Sequence, residues 1–97
     1  MGGVTEISIA RDADAGDEPM RFRVVVRDGS SSTEHDVTVS GADLDRLAAG
    51  RTPETFVRAC FEFLLEREPK ESILPEFDVA VIGRYFPEFE REISRGT

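Results

Sequence analysis

The sequence predicts an α+β fold in which an N-terminal three-stranded antiparallel sheet packs against a central helix, with a short helix and C-terminal helical segments around them. Apolar and polar residues alternate with a period of two over much of the first forty residues, which is typical of strands. Residues 52–67 carry apolar side chains around about 200° of a helix and leave one narrow stripe for water. Such a helix must be covered from several sides, so we expect it at the centre of one domain spanning residues 1–97.

The strand pattern covers residues 4–10, 20–28 and 33–40. The turn residues at 28–32 join the second and third segments into a hairpin. If the loop closes between Asp28 and Thr33, the apolar faces of both strands agree. The expected cross-strand pairs are then Phe22 with Val39, Val24 with Val37 and Arg27 with Glu34. The position of the first strand relative to this hairpin stays open.

Two capping signals predict two separate helices after the strands. Ser40 with Asp43 three residues later resembles a capping box, and Gly50 supplies the stop of this short helix. Thr52 caps the central helix and Pro53 occupies its first turn, where a missing N–H has no consequence. The central helix is expected to end near Pro69 because residues before proline avoid the helical region.

The C-terminal third predicts shorter helical pieces. Ser72 is placed to cap one turn that continues through Phe77, and Asp78 is placed to cap the last helix. An apolar stripe with helical spacing follows and continues past Pro87, so a kink or a restart is expected there. The stripe consists of Val79, Ile82, Phe86, Phe89 and Ile93.

The apolar faces of these elements define the expected core. Its members are Phe22, Val24, Val26, Val37, Val39, Phe56, Cys60, Phe61, Leu64, Ile82 and Phe86. Cys60 lies inside the apolar arc of the central helix, where a free cysteine acts as a small hydrophobe with a raised pKa. His35 shares a strand face with two valines, so a packed histidine at the sheet edge is expected rather than a catalytic base.

Twelve basic and twenty acidic residues give a formal net charge of −8, which disfavours nucleic acid as a partner. Eleven of the twelve cations are arginine, a bias that we attribute to a bacterial source. The single cysteine cannot form an intrachain disulfide, and the sequence contains neither a signal peptide nor a stretch of about 20 apolar residues. We therefore expect a soluble cytoplasmic protein that does not bind membranes.

The acidic loop at residues 12–18 is the one candidate for a metal, with Asp12, Asp14, Asp17 and Glu18 as oxygen ligands. Its spacing departs from the EF-hand pattern, since glycine stands at the fifth position instead of the sixth. We expect a solvated loop, with weak calcium binding as the alternative. One histidine and one cysteine cannot make a structural zinc site without several carboxylates, so no metal or cofactor is expected.

The second strand carries a row of arginines on its polar face. They could bind phosphate together with Arg11, or they could pair with acidic side chains of the third strand. Because the third strand offers acids at the matching parity, we favour internal pairing. The arginines are Arg21, Arg23 and Arg27, and the acids are Glu34 and Asp36.

Two segments resemble known families. Residues 63–93 resemble a family of short uncharacterised bacterial proteins, a resemblance that implies no activity and no functional residue. Residues 33–68 resemble ribbon-helix-helix regulators, in which the strand forms the dimer and its outward residues read DNA. The matching positions here are Glu34, Asp36 and Thr38, and the two acids oppose contact with phosphates.

Seven phenylalanines and one tyrosine, without any recognisable catalytic motif, favour a non-enzymatic module that binds a protein partner or itself. Tyr85, Phe86 and Phe89 are the expected interaction surface. A ribbon-helix-helix regulator is the second hypothesis. An enzyme is the third, and it would need His35 or Cys60 in a polar cleft.

Overall fold

A computed structural model describes residues 5–16 and 18–95 of the chain. Its centre is a four-stranded mixed sheet in the order β1-β2-β3-β4. The first three strands are antiparallel neighbours, and β4 runs parallel to β3. The α+β class is therefore confirmed, whereas the expectation of a three-stranded antiparallel sheet was incomplete. The strands are β1 (Thr5–Arg11), β2 (Met20–Asp28), β3 (Ser31–Val39) and β4 (Glu76–Asp78).

Strand β4 replaces the single helical turn that we expected from Ser72 through Phe77. A short 3₁₀ turn at Lys70–Ser72 precedes it, after which the chain becomes extended. The backbone N–H of Asp36 donates to the carbonyl of Pro75 at 2.8 Å and begins the parallel pairing. The outer edge of β3 needs hydrogen-bond partners, and this long-range requirement prevails over a weak local helix signal.

The β2–β3 hairpin has the predicted faces but a different register. It closes through the two residues Gly29 and Ser30 instead of the longer loop that we expected. Gly29 has a φ of 65° at the first central position, where type II′ turns favour glycine. The pairing is thereby shifted by two residues, a shift that keeps every side chain on its predicted face. The observed pairs include Phe22 with Val37, Val24 with His35 and Arg27 with Ser32.

Strand β1 occupies the edge of the sheet beside β2, which settles its open position. All seven of its residues have β2 partners in one unbroken antiparallel register. Ile7 lies opposite Val26 and Ile9 opposite Val24, so the apolar faces of the two strands coincide.

The predicted caps of the first two helices are confirmed. Ser40 Oγ accepts a hydrogen bond from the N–H of Asp43 at 3.1 Å, and Thr52 Oγ1 accepts one from the N–H of Thr55 at 3.2 Å. The central helix stops four residues before Pro69. The helices are α1 (Gly41–Leu47), α2 (Pro53–Leu65), α3 (Ile82–Tyr85) and α4 (Phe89–Ile93).

The C-terminal stripe divides into two short helices, as the proline predicts. Asp78 Oδ1 caps the N–H of Ala80 at 2.9 Å and begins a 3₁₀ turn that continues into α3. Phe86 then leaves the helical region, with φ −130° and ψ 91°, because it precedes Pro87. The helix restarts at Phe89 as α4.

The core lies between the inner face of the sheet and α2. All predicted core residues are buried except Phe86, which is half-buried. Glu54, Arg58 and Glu62 of α2 and Glu66 at its C-terminal cap are exposed, as the narrow polar stripe predicts. The C-terminal segments cover the remaining faces of α2. They add Ile73, Phe77, Val79, Phe89 and Ile93 to the core.

Candidate functional site

The clearest surface feature is an apolar groove beside the end of α2. Leu74 is 44% exposed and Tyr85 is 67% exposed, and they are the exposed large hydrophobic residues of the described chain. Both line this one groove, which has a volume of about 370 Å³. Its other apolar walls come from Leu64, Ile73, Phe77, Val81, Ile82 and Phe86, and its polar residues are Glu68 and Ser72.

Several short segments build the groove because the chain turns sharply on both sides of β4. Leu64 contributes from α2, and Leu74 lies on the loop that enters β4. Tyr85 ends α3, and Phe86 follows in extended conformation. The ring of Phe86 makes an edge contact with Phe63 in α2 at a centroid distance of 5.9 Å. The groove is therefore anchored to the main core on its α3 side.

His35 supports the side of the groove that Leu74 forms. Its Nδ1 atom lies 2.8 Å from the carbonyl oxygen of Leu74, and its Nε2 atom lies 2.8 Å from Thr33 Oγ1. A carbonyl can only accept, so Nδ1 donates; in the neutral ring Nε2 then accepts from the hydroxyl of Thr33. The ring is 2% exposed and lies 5.4 Å from the ring of Phe61. His35 is thus packed, as expected, but it lies on an interior strand and fixes the backbone of the groove.

Glu68 is the charged residue that lines the groove. It is half-buried, and none of the ion pairs within residues 5–16 and 18–95 includes it. Lys70, two residues away, is buried and donates instead to Glu71 at 2.7 Å. This hydrogen bond lowers the pKa of the Glu71 carboxyl group. The groove therefore offers a carboxylate without a cationic partner in the described chain.

Only part of the predicted aromatic surface lies at the groove. Tyr85 is exposed there and Phe86 is half-buried there, whereas Phe89 is 1% exposed and packs against Phe63 at 5.1 Å. The restart of the helix after Pro87 turns Phe89 toward the core. Sequence reasoning missed Leu74, because the segment was expected to be helical and nothing local marks its exposure.

The remaining candidate residues serve the fold. Burial raises the pKa of the Cys60 thiol well above its ordinary range, as expected for a core cysteine. In the acidic loop, Asp12 caps the N–H of Asp14, and the carboxylate of Glu18 accepts from the N–H of Gly41 at 3.0 Å. Asp17 lies outside the described residues. Within the part of the chain that the structure describes, no group of three or more His, Cys, Asp or Glu could hold a metal.

The arginine row is largely paired inside the sheet. Arg23 bonds Asp36 at 2.8 Å and Glu34 at 3.1 Å, which confirms the predicted internal pairing at this position. Arg21 pairs with Glu76 of β4 at 3.0 Å. Within the described residues β4 pairs with Asp36, Val37 and Thr38 of β3 on the side away from β2, so this stretch is not free for the dimer that the ribbon-helix-helix resemblance implies. Its acids also face arginines of the same chain.

Comparisons with family models, curated proteins and solved structures find no match to this chain. None of the helices within the described ranges has the length and apolar character needed to cross a membrane. The assignment of a function therefore rests on the geometry of the surface.

Proposed function

We propose that this chain is a non-enzymatic protein-interaction module whose groove binds an apolar side chain of a partner next to a basic residue. The observation that carries the proposal is the position of Leu74 and Tyr85. The exposed large hydrophobic residues of the described chain lie together in one concave surface instead of being scattered singly.

Burial of these residues by a partner supplies the free energy of binding. Complete burial of an aliphatic or aromatic side chain stabilises by about 1.5–3 kcal/mol. Tyrosine is enriched among the residues that dominate interface energies, because it combines a large apolar body with a polar tip. Tyr85 at the rim and the half-buried Phe86 beside it provide these contacts.

The preference for a basic residue follows from Glu68. A half-buried carboxylate gains a charge-assisted hydrogen bond when a lysine or arginine of the partner approaches it. The net charge of −8 attracts such a partner at long range and repels acidic ones. The occupant that we propose is accordingly a segment with an aliphatic or aromatic residue beside lysine or arginine.

The composition of the groove supports binding without catalysis. Its polar groups are the carboxylate of Glu68 and the hydroxyls of Ser72 and Tyr85, while the His35 ring is buried behind Leu74 and Cys60 is buried in the core. A lone buried thiol also suits a reducing compartment, so we retain the cytoplasmic location in the proposal.

Selection from a library of random 12-residue peptides displayed on phage tests the proposal. We expect enrichment of peptides with an aromatic or aliphatic residue next to lysine or arginine. Synthetic versions of the selected peptides should bind the purified chain in fluorescence anisotropy titrations. Tyr85→Ala should weaken that binding about tenfold, the loss expected for one interface anchor.

A matched pair of variants isolates the charge preference. Glu68→Gln should weaken binding of the basic peptides and reduce its dependence on salt. Glu62→Gln makes the same change on the exposed face of α2, away from the groove, and should leave binding unchanged. Equal effects of the two variants, or selection of no consensus, would refute the proposed occupant.

A further inference from the structure

The outer edge of β1 is a second exposed feature, and it lies away from the groove. Among the described residues no strand pairs with this edge. Natural proteins protect such edges with charged side chains, prolines, bulges or very short strands. Strand β1 contains no proline and keeps seven consecutive pairs with β2, and its charged residues Glu6 and Arg11 flank an uncharged centre at residues 7–10.

The hydrogen-bond pattern identifies the groups at this edge. The N–H of Asp12 donates to the carbonyl of Arg21 at 2.8 Å, just past the end of the strand. Antiparallel pairs alternate between bonded and non-bonded positions, so Ser8 and Ala10 bond to β2. The N–H and C=O groups of Ile7 and Ile9 consequently point away from β2 and are positioned to receive another strand.

The sequence of β1 is complementary to itself when two copies meet about a two-fold axis at Ser8. This register places Ile7 opposite the second copy's Ile9. The backbone groups of both residues point away from their own β2, so the two residues can form a hydrogen-bonded pair across the axis. On the inner face the row across the joined sheet then reads Val26, Ile7, Ile9 and Val24. In the two central rows the apolar layer therefore continues from one copy to the other, and in the rows on either side Thr5 faces the second copy's Arg11.

Charges on the outer face agree with the same register. Glu6 lies beside Arg27 in its own chain and faces the second copy's Ala10, which lies beside Arg23. Across the joined sheet this row therefore reads Arg27, Glu6, Ala10 and Arg23, with the last two from the second copy. No two side chains of like charge are adjacent in it. At the axis, Ser8 faces the second copy's Ser8, and two small side chains allow the close approach of a non-bonded pair.

From this register we propose that two copies of the chain dimerise through antiparallel pairing of their β1 strands, which forms one continuous eight-stranded sheet. The two grooves lie at the far ends of this sheet. The dimer thus carries two binding surfaces and increases affinity for partners with repeated motifs.

Analytical ultracentrifugation of the full chain over a range of concentrations tests the dimer. The mass should rise with concentration toward twice the monomer mass of 10.8 kDa. Ser8→Glu places like charges opposite each other at the axis and should raise the dissociation constant about fivefold at low salt. Ser8→Lys should do the same, and an equimolar mixture of the two variants should restore association.

Ser32→Glu is the matched control, because it makes the same substitution on the same sheet face away from β1. It should leave the dissociation constant unchanged. Amide hydrogen exchange provides a second readout: the amides of Ile7 and Ile9 should become protected as concentration rises, while Ser8 and Ala10 stay protected throughout.

A monomer at every concentration would overturn the proposal. A dimer that ignores both Ser8 variants but dissociates with Tyr85→Ala would overturn it as well, since association would then occur through the groove. Exchange at Ile7 and Ile9 that does not depend on concentration would count equally against it.

Discussion

The β2–β3–α2 unit and the C-terminal segment 70–95 differ in how completely they bury their large apolar side chains. In the first, regular periodicity buries the large apolar residues in one core, with only Val25 and Leu65 half-buried, and the exposed positions of α2 are polar or charged. In the second, short turns and helices separated by prolines leave Leu74 and Tyr85 at the surface.

The difference shows how a chain of 97 residues accommodates both stability and a binding surface. Long elements bury a continuous face, whereas short elements joined by Pro75 and Pro87 cannot present one continuous face to the core. The groove arises where these short pieces meet α2. We expect the core unit to dominate the free energy of unfolding and the groove to contribute little to it.

The largest effect should come from Phe61→Ala. Its ring is fully buried in α2 and contacts the rings of His35 and Phe77. We expect a loss of about 3–5 kcal/mol in the free energy of unfolding, measured by urea titration with circular dichroism. Phe86→Ala, the same truncation at the half-buried groove wall, should cost roughly half as much. If both variants lost the same free energy of unfolding, the α2 core and the groove wall would have to be parts of one cooperative core.

His35→Phe should have the next largest effect, because it removes the side chain that joins the two regions. The carbonyl of Leu74 and the hydroxyl of Thr33 would lose their partner in a partly buried position, at a cost of about 1–3 kcal/mol. Amides of β4 should exchange faster with solvent. Thr33→Val leaves the bond to Leu74 intact, so it should cost less and spare β4; faster β4 exchange in that variant would contradict the role of His35.

The thiol of Cys60 should give the core a measurable pH dependence. Its pKa is raised by burial in the folded state, whereas in the unfolded chain it titrates near 8.5. The stabilising contribution is therefore complete below pH 8.5 and decreases as pH rises toward the folded pKa. Between pH 8 and pH 10 the free energy of unfolding should fall by about 2 kcal/mol.

Cys60→Ala is the control for this measurement, because it removes the thiol while all other titrating groups remain. The part of the pH slope that disappears in this variant belongs to Cys60. A slope that is the same in both proteins would mean that the thiol is accessible to water.

The smallest effect on stability should come from Tyr85→Ala. The side chain is 67% exposed, so we expect the free energy of unfolding to change by less than about 0.5 kcal/mol. The same variant should weaken peptide binding about tenfold. A large loss of stability would show that Tyr85 belongs to the core unit.

Much of this fold is readable from the sequence because the signals are local. The caps at Ser40 and Thr52, the inward parity of Val24 and Val37, and the break at Pro87 each depend on residues close in the chain. The hairpin register was wrong by two residues because parity alone does not distinguish a two-residue turn from a longer one.

The groove could be predicted only in part. Aromatic content identified the region of Tyr85 and Phe86, but Phe89 turned inward and Leu74 was missed. Exposure of a single side chain depends on which segments cover it, and short segments carry too few residues for a periodic signal.

Periodicity and capping thus established the α+β class, the faces of the long strands and the central place of α2, because these depend on contacts between near neighbours. The pairing of β4 with β3, the hydrogen bonds of His35 and the groove depended on contacts between residues far apart in the chain. Such contacts form where the outer edge of β3 needs hydrogen-bond partners and where the remaining faces of α2 need to be covered. These requirements exist only once the sheet and helix are assembled.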